Sequence, residues 1–226
     1  MGYQFNFAAV LAYYPWLIRG ALLTLALITI GGTLGIALGI AGAWVRSARS
    51  RAPHWARALF GAYVEVIRNT PFLVQLFFIF FGLPSLGVKF NELEAASLAM
   101  VVNLGAYSTE IIRAGIDSIP RGQIEAGQSL AMSHLQIFRH IVLRPALQKI
   151  WPALSSQVVI VMLGSAACSQ ISVEDLSFAA NFIQSRNFRA FEAYFVATGI
   201  YLVLAILVRR AMHGIGWLLF SRKGTR

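Results

Sequence analysis

Apolar residues run along this chain in five blocks, each long enough to cross a bilayer and separated by polar stretches. A spanning helix needs about 20 largely apolar residues. The blocks lie at about 20–43, 58–81, 95–114, 146–168 and 190–208, and they predict an all-α integral membrane protein with five transmembrane helices. In the first block the polar side chains are Thr24, Thr29 and Thr33, while Gly31, Gly35 and Gly39 recur every four residues. That spacing puts the glycines on one helix face, where small residues let a second helix pack closely. The second block contains Pro71 and ends at a turn, Leu83-Pro84-Ser85-Leu86-Gly87. The third grows more polar toward its end, through Asn103, Tyr107, Ser108, Thr109, Glu110 and Arg113.

Charge orients the blocks. Arg46, Arg49, Arg51, His54 and Arg57 follow the first, and Arg209, Arg210, His213, Arg222, Lys223 and Arg226 follow the last. Loops rich in arginine and lysine stay on the cytoplasmic side. Lys89, Glu92 and Glu94, and later Glu174, Asp175, Arg186 and Arg189, carry no such excess and read as external. Five crossings then give an external N-terminal segment (1–18) and a basic cytoplasmic tail (213–226), on either side of one transmembrane domain (19–212). Of the 226 residues 58% are hydrophobic and 12% charged, against roughly 25% charged in soluble domains. The net charge of +10 therefore belongs to membrane orientation and not to nucleic acid. The lone Cys168 leaves no internal disulfide and no multi-cysteine metal site. The first 18 residues carry no charged n-region, so no cleavable signal peptide is expected.

One polar interruption, about 121–145, lies on the basic side. Residues 125–137 predict about three helical turns, with Ala126, Leu130, Ser133 and Ile137 on one face and Gln128, His134 and Gln136 toward others. Pro145 is expected to stop or kink the chain before the fourth span. By physics alone the segment is a docking helix for a soluble partner, a membrane-surface helix, or a plain connector.

Glu125-Ala126-Gly127, followed by Ala131, Ile141, Leu143 and Pro145, resembles the EAA loop of permeases of ATP-binding cassette importers. Arg68-Asn69-Thr70-Pro71-Phe72-Leu73-Val74-Gln75 resembles the second-span signature of the histidine/glutamine/arginine permease family. Ala106-Tyr107-Ser108-Thr109-Glu110-Ile111-Ile112-Arg113-Ala114-Gly115-Ile116 and Ile119-Pro120-Arg121-Gly122-Gln123-Ile124 resemble the end of its third span. Ser185-Arg186, Phe188-Arg189 and Phe191-Glu192 resemble its run into the last span. The resemblance covers about residues 17–210. It implies the transmembrane domain of a type I importer, a subunit that works in pairs in the bacterial inner membrane. Two ATPase subunits would sit beneath it, and a periplasmic or lipid-anchored binding protein would deliver a polar amino acid. Glu125, Ala126, Gly127, Leu130, Ala131 and Ser133 would couple it to the ATPase. The chain carries no Gly-x-x-x-x-Gly-Lys-Ser/Thr phosphate loop, so ATP and Mg are expected on the partner and no catalytic residue on this chain.

Ionisable groups inside a span are costly and face protein or a water-filled path. Glu65 with Arg68, and Glu110 with Arg113, are each three residues apart and able to pair. Glu110 and Arg113 read chiefly as a salt bridge tying spans together. Arg68, Asn69, Thr70 and Gln75, beside Pro71, read as candidates for the substrate pathway, because an arginine suits an amino acid's carboxylate. Asn103, Gln157 and Ser165 are either further pathway residues or interhelical hydrogen-bonding groups. The chain departs from the family pattern in three places. Leu163-Gly164-Ser165-Ala166-Ala167-Cys168 stands where many relatives carry a lysine and small polar or acidic residues. Gly127 and Ala131 reverse the usual alanine and glycine. Arg144 precedes Pro145 in place of leucine. These changes point to one half of a heterodimer. The competing functions are an ATPase-independent transporter or channel, for which no inverted repeat is visible, and a non-transporting scaffold.

Overall fold

The computed structural model describes residues 3–47 and 52–220, so Arg49, Arg51, Arg222, Lys223 and Arg226 of the basic clusters lie outside the described residues. Every element among the described residues is helical. After one turn at Ala8–Leu11 the chain forms α1 (Tyr14–Arg46), α2 (His54–Arg68), α3 (Phe72–Leu86), α4 (Glu92–Asp117), α5 (Arg121–Ser129), α6 (His134–Ile171), α7 (Leu176–Asn187) and α8 (Ala190–Phe220). Four of these, α1, α4, α6 and α8, are long and apolar enough to cross a membrane, and α2 with α3 makes a fifth crossing if the bent pair is counted as one.

The core centres on α1 against α4, the most extensive packing in the molecule. The glycine stripe makes it possible. A Cβ on Gly31 would come within 3.0 Å of Met100 Cβ, and one on Gly35 within 3.0 Å of Leu104 Cβ. At Gly39 it would press directly into Ser108. The stripe therefore does what the spacing predicts. The described core divides into two clusters. The larger joins α1, α3, α4, α6, α7 and α8 through residues such as Leu27, Leu76, Met100, Leu104 and Met162. The smaller sits at the α5 end and gathers Ala43, Ile112, Ile116, Ile119, Ile137, Val142 and Ala146.

Three expectations need correction. The second span is not a continuous helix over 58–81, because the chain bends by 114° between His54–Arg68 and Phe72–Leu86. Pro71 has no N–H for the Ile67 carbonyl one turn back, and it disfavours helical geometry at Thr70. The loop segment is not one helix over 125–137 but two, separated at Leu130–Met132. Pro145 does not stop the chain before the fourth span. The helix runs unbroken from His134 to Ile171 through a π-helical stretch, Ile137–Leu143, with Pro145 in the first turn of the α-helix that follows.

The other boundaries shift outward. α1 and α4 extend past the apolar blocks to Arg46 and Asp117, and α1 begins inside the expected N-terminal segment. The expected basic tail is helical as far as Phe220. Arg209 and Arg210 end an apolar run but do not break a helix. Trp151 of α6 then holds the extension, donating from Nε1 to the Met212 carbonyl at 2.8 Å and meeting the Phe220 ring edge-on at 5.3 Å.

Candidate functional site

α5 projects from the end of the bundle where the smaller core lies. Its C-terminus is a stop signal of two bonds: Ala131 N–H donates to the Gln128 carbonyl at 2.9 Å, and Met132 N–H to the Gly127 carbonyl at 3.2 Å. This Schellman arrangement needs a left-handed residue, and Ala131 supplies it with φ +54°. Ser133 restarts the helix through a capping box with Gln136. The Ser133 hydroxyl accepts the Gln136 N–H, and the Gln136 side chain accepts the Ser133 N–H at 2.8 Å. The S-x-x-Q spacing was legible in the sequence, and the single-helix reading missed it.

Of the six expected coupling residues, Gly127 alone is buried, seated where a Cβ would meet Ile141 Cδ1 at 2.5 Å and Ile137 Cγ1 at 3.2 Å. Glu125, Ala126, Leu130, Ala131 and Ser133 are exposed. The break thus separates Ile137, which is buried, from the face that Ala126, Leu130 and Ser133 were expected to share with it. Leu130 and Leu135 stand 76% and 70% exposed at the tip. Behind α5 lies an open cleft of about 530 Å³, walled by Trp44, Asp117, Glu125, Gln128, His134 and Phe138 among others.

The second constellation is the elbow at 69–71. Gln75, one turn into α3, folds back over it. Its Nε2 donates to the Ile67 carbonyl at 2.7 Å, the acceptor that Pro71 leaves empty, and to the Thr70 carbonyl and hydroxyl at 2.9 Å. Its Oε1 accepts from Asn103 Nδ2 of α4 at 2.9 Å. Asn69 and Thr70 donate back to the Glu65 and Val66 carbonyls, each at 2.8 Å. Gln75 and Asn103 are therefore committed to holding the bend, whereas Arg68, Asn69 and Thr70 are exposed on it.

Glu110 gathers arginines from three helices. Arg46 of α1 donates to Oε1, Arg113 of α4 lies 2.9 Å from Oε2, and Arg68 of α2 approaches to 3.9 Å. Arg113 also reaches Asp117 at 2.9 Å, and Arg68 lies over the Tyr107 ring at 5.6 Å. The Glu110–Arg113 pair is present, but inside a larger knot. The expected Glu65–Arg68 pair is not among the described ion pairs, because Glu65 accepts from Asn69 and Arg68 turns to Glu110. Gln157 is half-buried on α6, and Ser165 is buried with its hydroxyl donated to the Met162 carbonyl of its own helix. Among the described residues no hydrogen bond brings either to the elbow, although the turn at 165–171 packs on Phe72–Phe77.

Two buried carboxylates at the opposite end were read as exposed external charges or passed over. Asp175 caps α7, accepting from Phe178 N–H at 2.9 Å and from the Tyr201 hydroxyl at 3.2 Å. Burial pushes its carboxyl up from the ordinary 3.8 to about 6, against the pull of those hydrogen bonds. Glu192 is fully buried in the first turn of α8.

Comparison with known proteins shows the family. Residues 31–215 match the family described as binding-protein-dependent transport system inner membrane component. The L-cystine transport system permease protein TcyB of Bacillus subtilis (strain 168) is 34% identical over 205 residues, covering 90% of this chain and 86% of that protein. The glutamine transport system permease protein GlnP of Escherichia coli (strain K12) is 32% identical over 210 residues, covering 91% and 93%. Among solved structures, the crystal structure of an amino acid ABC transporter with histidines superposes with a TM-score of 0.82 at 33% identity, over 95% of this chain and 99% of that one. The inward-facing MetNI methionine ABC transporter shares the fold, with a TM-score of 0.75 at 22% identity. The chain belongs to the inner membrane components of binding-protein-dependent transport systems, the permease subunits of ATP-binding cassette importers.

Proposed function

We propose that this chain forms half of the membrane pathway of an importer for a polar amino acid, driven by a separate ATPase that docks on α5. The stop-start turn carries the reading. Glu125, Ala126 and Leu130 project from the bundle end on a short helix whose inner side is seated by Gly127. Exposed leucines on such a tip mark a surface for a protein partner. ATP and Mg belong to that partner, and an external binding protein supplies the substrate. The relatives transport cystine and glutamine by name, which supports the amino acid class. The α5 end carries Arg46, Arg57, Arg121, Arg139, Arg144 and Arg210, and is the cytoplasmic end by the positive-inside rule. The end of α8 at Phe220 then faces the cytoplasm and the segment 3–7 the outside.

Within the pathway, Arg68, Asn69 and Thr70 are the residues available to substrate, with Gln75 and Asn103 supporting them. The 163–168 stretch offers an amino acid no carboxylate or ammonium partner, and the Ser165 hydroxyl is already donated. That supports a second, non-identical permease subunit carrying more of the site.

The test is Glu125→Ala in the reconstituted complex. Glu125 is exposed, so the subunit is expected to fold and co-purify with the ATPase while uptake falls about tenfold, equivalent to about 1.4 kcal/mol. Unchanged uptake would overturn the assignment of α5. Uptake of amino acid with only this permease, the ATPase and the binding protein would overturn the heterodimer.

A further inference from the structure

A buried carboxylate needs donors, and Glu192 draws its donors from the far end of the chain. The Tyr3 hydroxyl donates to Oε2 and the Asn6 backbone N–H to Oε1 at 2.9 Å, with Arg189 Nη1 3.4 Å from Oε1. Arg189 also donates to the Gln4 carbonyl at 2.7 Å and lies over the Tyr3 ring at 5.9 Å. One turn on, Asn187 Nδ2 donates to the Ala9 carbonyl at 3.3 Å. The segment 3–7 is thus a strap laid across the start of α8, with its polar bonds turned inward.

Its outer side is aromatic. Phe5 stacks on Phe7 at 6.1 Å and leans on Phe191 at 5.3 Å, Phe7 meets Phe195 at 5.7 Å, and Phe191 stacks on Phe195 at 6.1 Å. Tyr3, Phe5, Phe191 and Phe195 are 58%, 59%, 57% and 62% exposed.

We propose that this strap, together with Phe191 and Phe195, is a membrane anchor that lies in the headgroup boundary of the leaflet at its end of the bundle, with lipid as its occupant. The course of α8 argues for lipid over protein. From Phe191 and Phe195 one helix face continues through Thr198, Leu202 and Ile206 to Arg209, all of them exposed. At 1.5 Å per residue, Phe191 to Arg209 spans about 27 Å, close to the hydrocarbon thickness of about 30 Å. Aromatic rings at one boundary, an apolar stripe and an arginine at the other are the pattern of a lipid-facing surface.

The complex in liposomes tests this, with a nitroxide placed at Phe5→Cys in a Cys168→Ser background. Collision with oxygen, which partitions into lipid, and with a water-soluble nickel chelate reports depth. Labels at Leu202→Cys and Lys89→Cys serve as the bilayer and aqueous references. The Phe5 label is expected to fall between the two. A reading equal to that at Lys89 would overturn the anchor, and shielding from both reagents would show a protein cover and overturn it equally. Asn6→Pro removes one donor to Glu192, along with the Asn6 Oδ1 acceptor of the Ala9 N–H, and leaves the carboxylate its other partners. It is expected to loosen the Phe5 label while leaving Leu202 unchanged, and an unaltered Phe5 spectrum would remove Glu192 from the clamp.

Discussion

Gln75→Leu separates a structural role from a substrate role at the elbow. Leucine keeps most of the side-chain volume and removes every hydrogen bond. Four groups lose a partner: the Ile67 carbonyl, the Thr70 carbonyl and hydroxyl, and Asn103 Nδ2. Leaving a buried polar group unpaired costs about 1–3 kcal/mol. Interhelical hydrogen bonds measured inside membranes fall nearer ~0.6–1.7 kcal/mol, because the unfolded chain also finds partners. The Ile67 carbonyl has no spare N–H one turn on, since Pro71 cannot supply one. The sum expected is roughly 2–4 kcal/mol, read as a lowered midpoint in thermal unfolding of the purified complex in detergent. Asn103→Leu should cost less. The double variant should cost clearly less than the two single losses combined, because the second change removes a group the first had orphaned. Transport of every substrate should fall together as the bend loosens. If Gln75→Leu left the melting midpoint unchanged and raised KM for one amino acid selectively, the structural reading would be wrong and Gln75 would belong to the binding site.

Other perturbations follow from the same geometry. Gly39→Ala presses a methyl into Ser108 and within 3.0 Å of its carbonyl carbon, which should cost about 1–3 kcal/mol by overpacking. Gly32→Ala points into open space and should be nearly neutral in the same melting assay. Ala131→Gly relieves a left-handed alanine and should raise stability by about 1 kcal/mol, whereas Ala131→Val should lower it, both read by thermal unfolding. Asp175 gives a pH dependence with a definite sign. Its folded value is raised, so below about pH 4 both states are protonated and no penalty exists. Between 3.8 and about 6 the unfolded chain ionises first and stability falls. Above that the full penalty, roughly 3 kcal/mol, remains. Asparagine caps a helix about as well as aspartate, so Asp175→Asn should flatten that slope and melt higher than the parent at pH 7.5 but not at pH 4. A parent slope that survives in the variant would assign it to another group.

Lipid imposes the apolar blocks directly on composition, and for that reason the helical class and the crossings were legible. The elbow was not, because its geometry depends on Gln75 reaching back to Ile67 and on Asn103 bracing it from another helix. A polar pair of that kind looks the same in sequence as a pair lining a pore. Asp175 and Glu192 were hidden for a related reason. Hydropathy reads a carboxylate as solvent-facing, and only the fold shows that Tyr201 covers one and the N-terminal strap the other. Charge marks where lipid ends and not where a helix ends, so α8 ran past Arg209 and Arg210 unseen. The Glu110 knot was half visible: its i, i+3 partner Arg113 lay within reach of a helical rule, while Arg46 and Arg68 did not.

The departures from the family pattern in the loop now have a physical meaning. Gly127 is buried against Ile137 and Ile141, and a methyl there would meet the flexible tip of Ile141 before anything rigid. Alanine at this position therefore needs only a small adjustment of that isoleucine. Ala131 occupies the one left-handed position of the loop, where glycine is the unstrained choice. Both differences sit where the backbone requires a small residue, and the register from Glu125 to Ser133 is set by the stop-start bonds on either side. Gly127 rests on the π-helical stretch of α6, and Ile137 and Val142 of that stretch belong to a core separate from the main one. α5 therefore meets α6 by side-chain contact at Gly127 as well as through the turn at 130–132. The same small core holds Ala43 of α1 and Ile112 and Ile116 of α4. The Glu110 knot lies at the same end and joins α1, α2 and α4 by charge. The small core and the knot thus share α1 and α4, and Arg68 links the knot to the elbow.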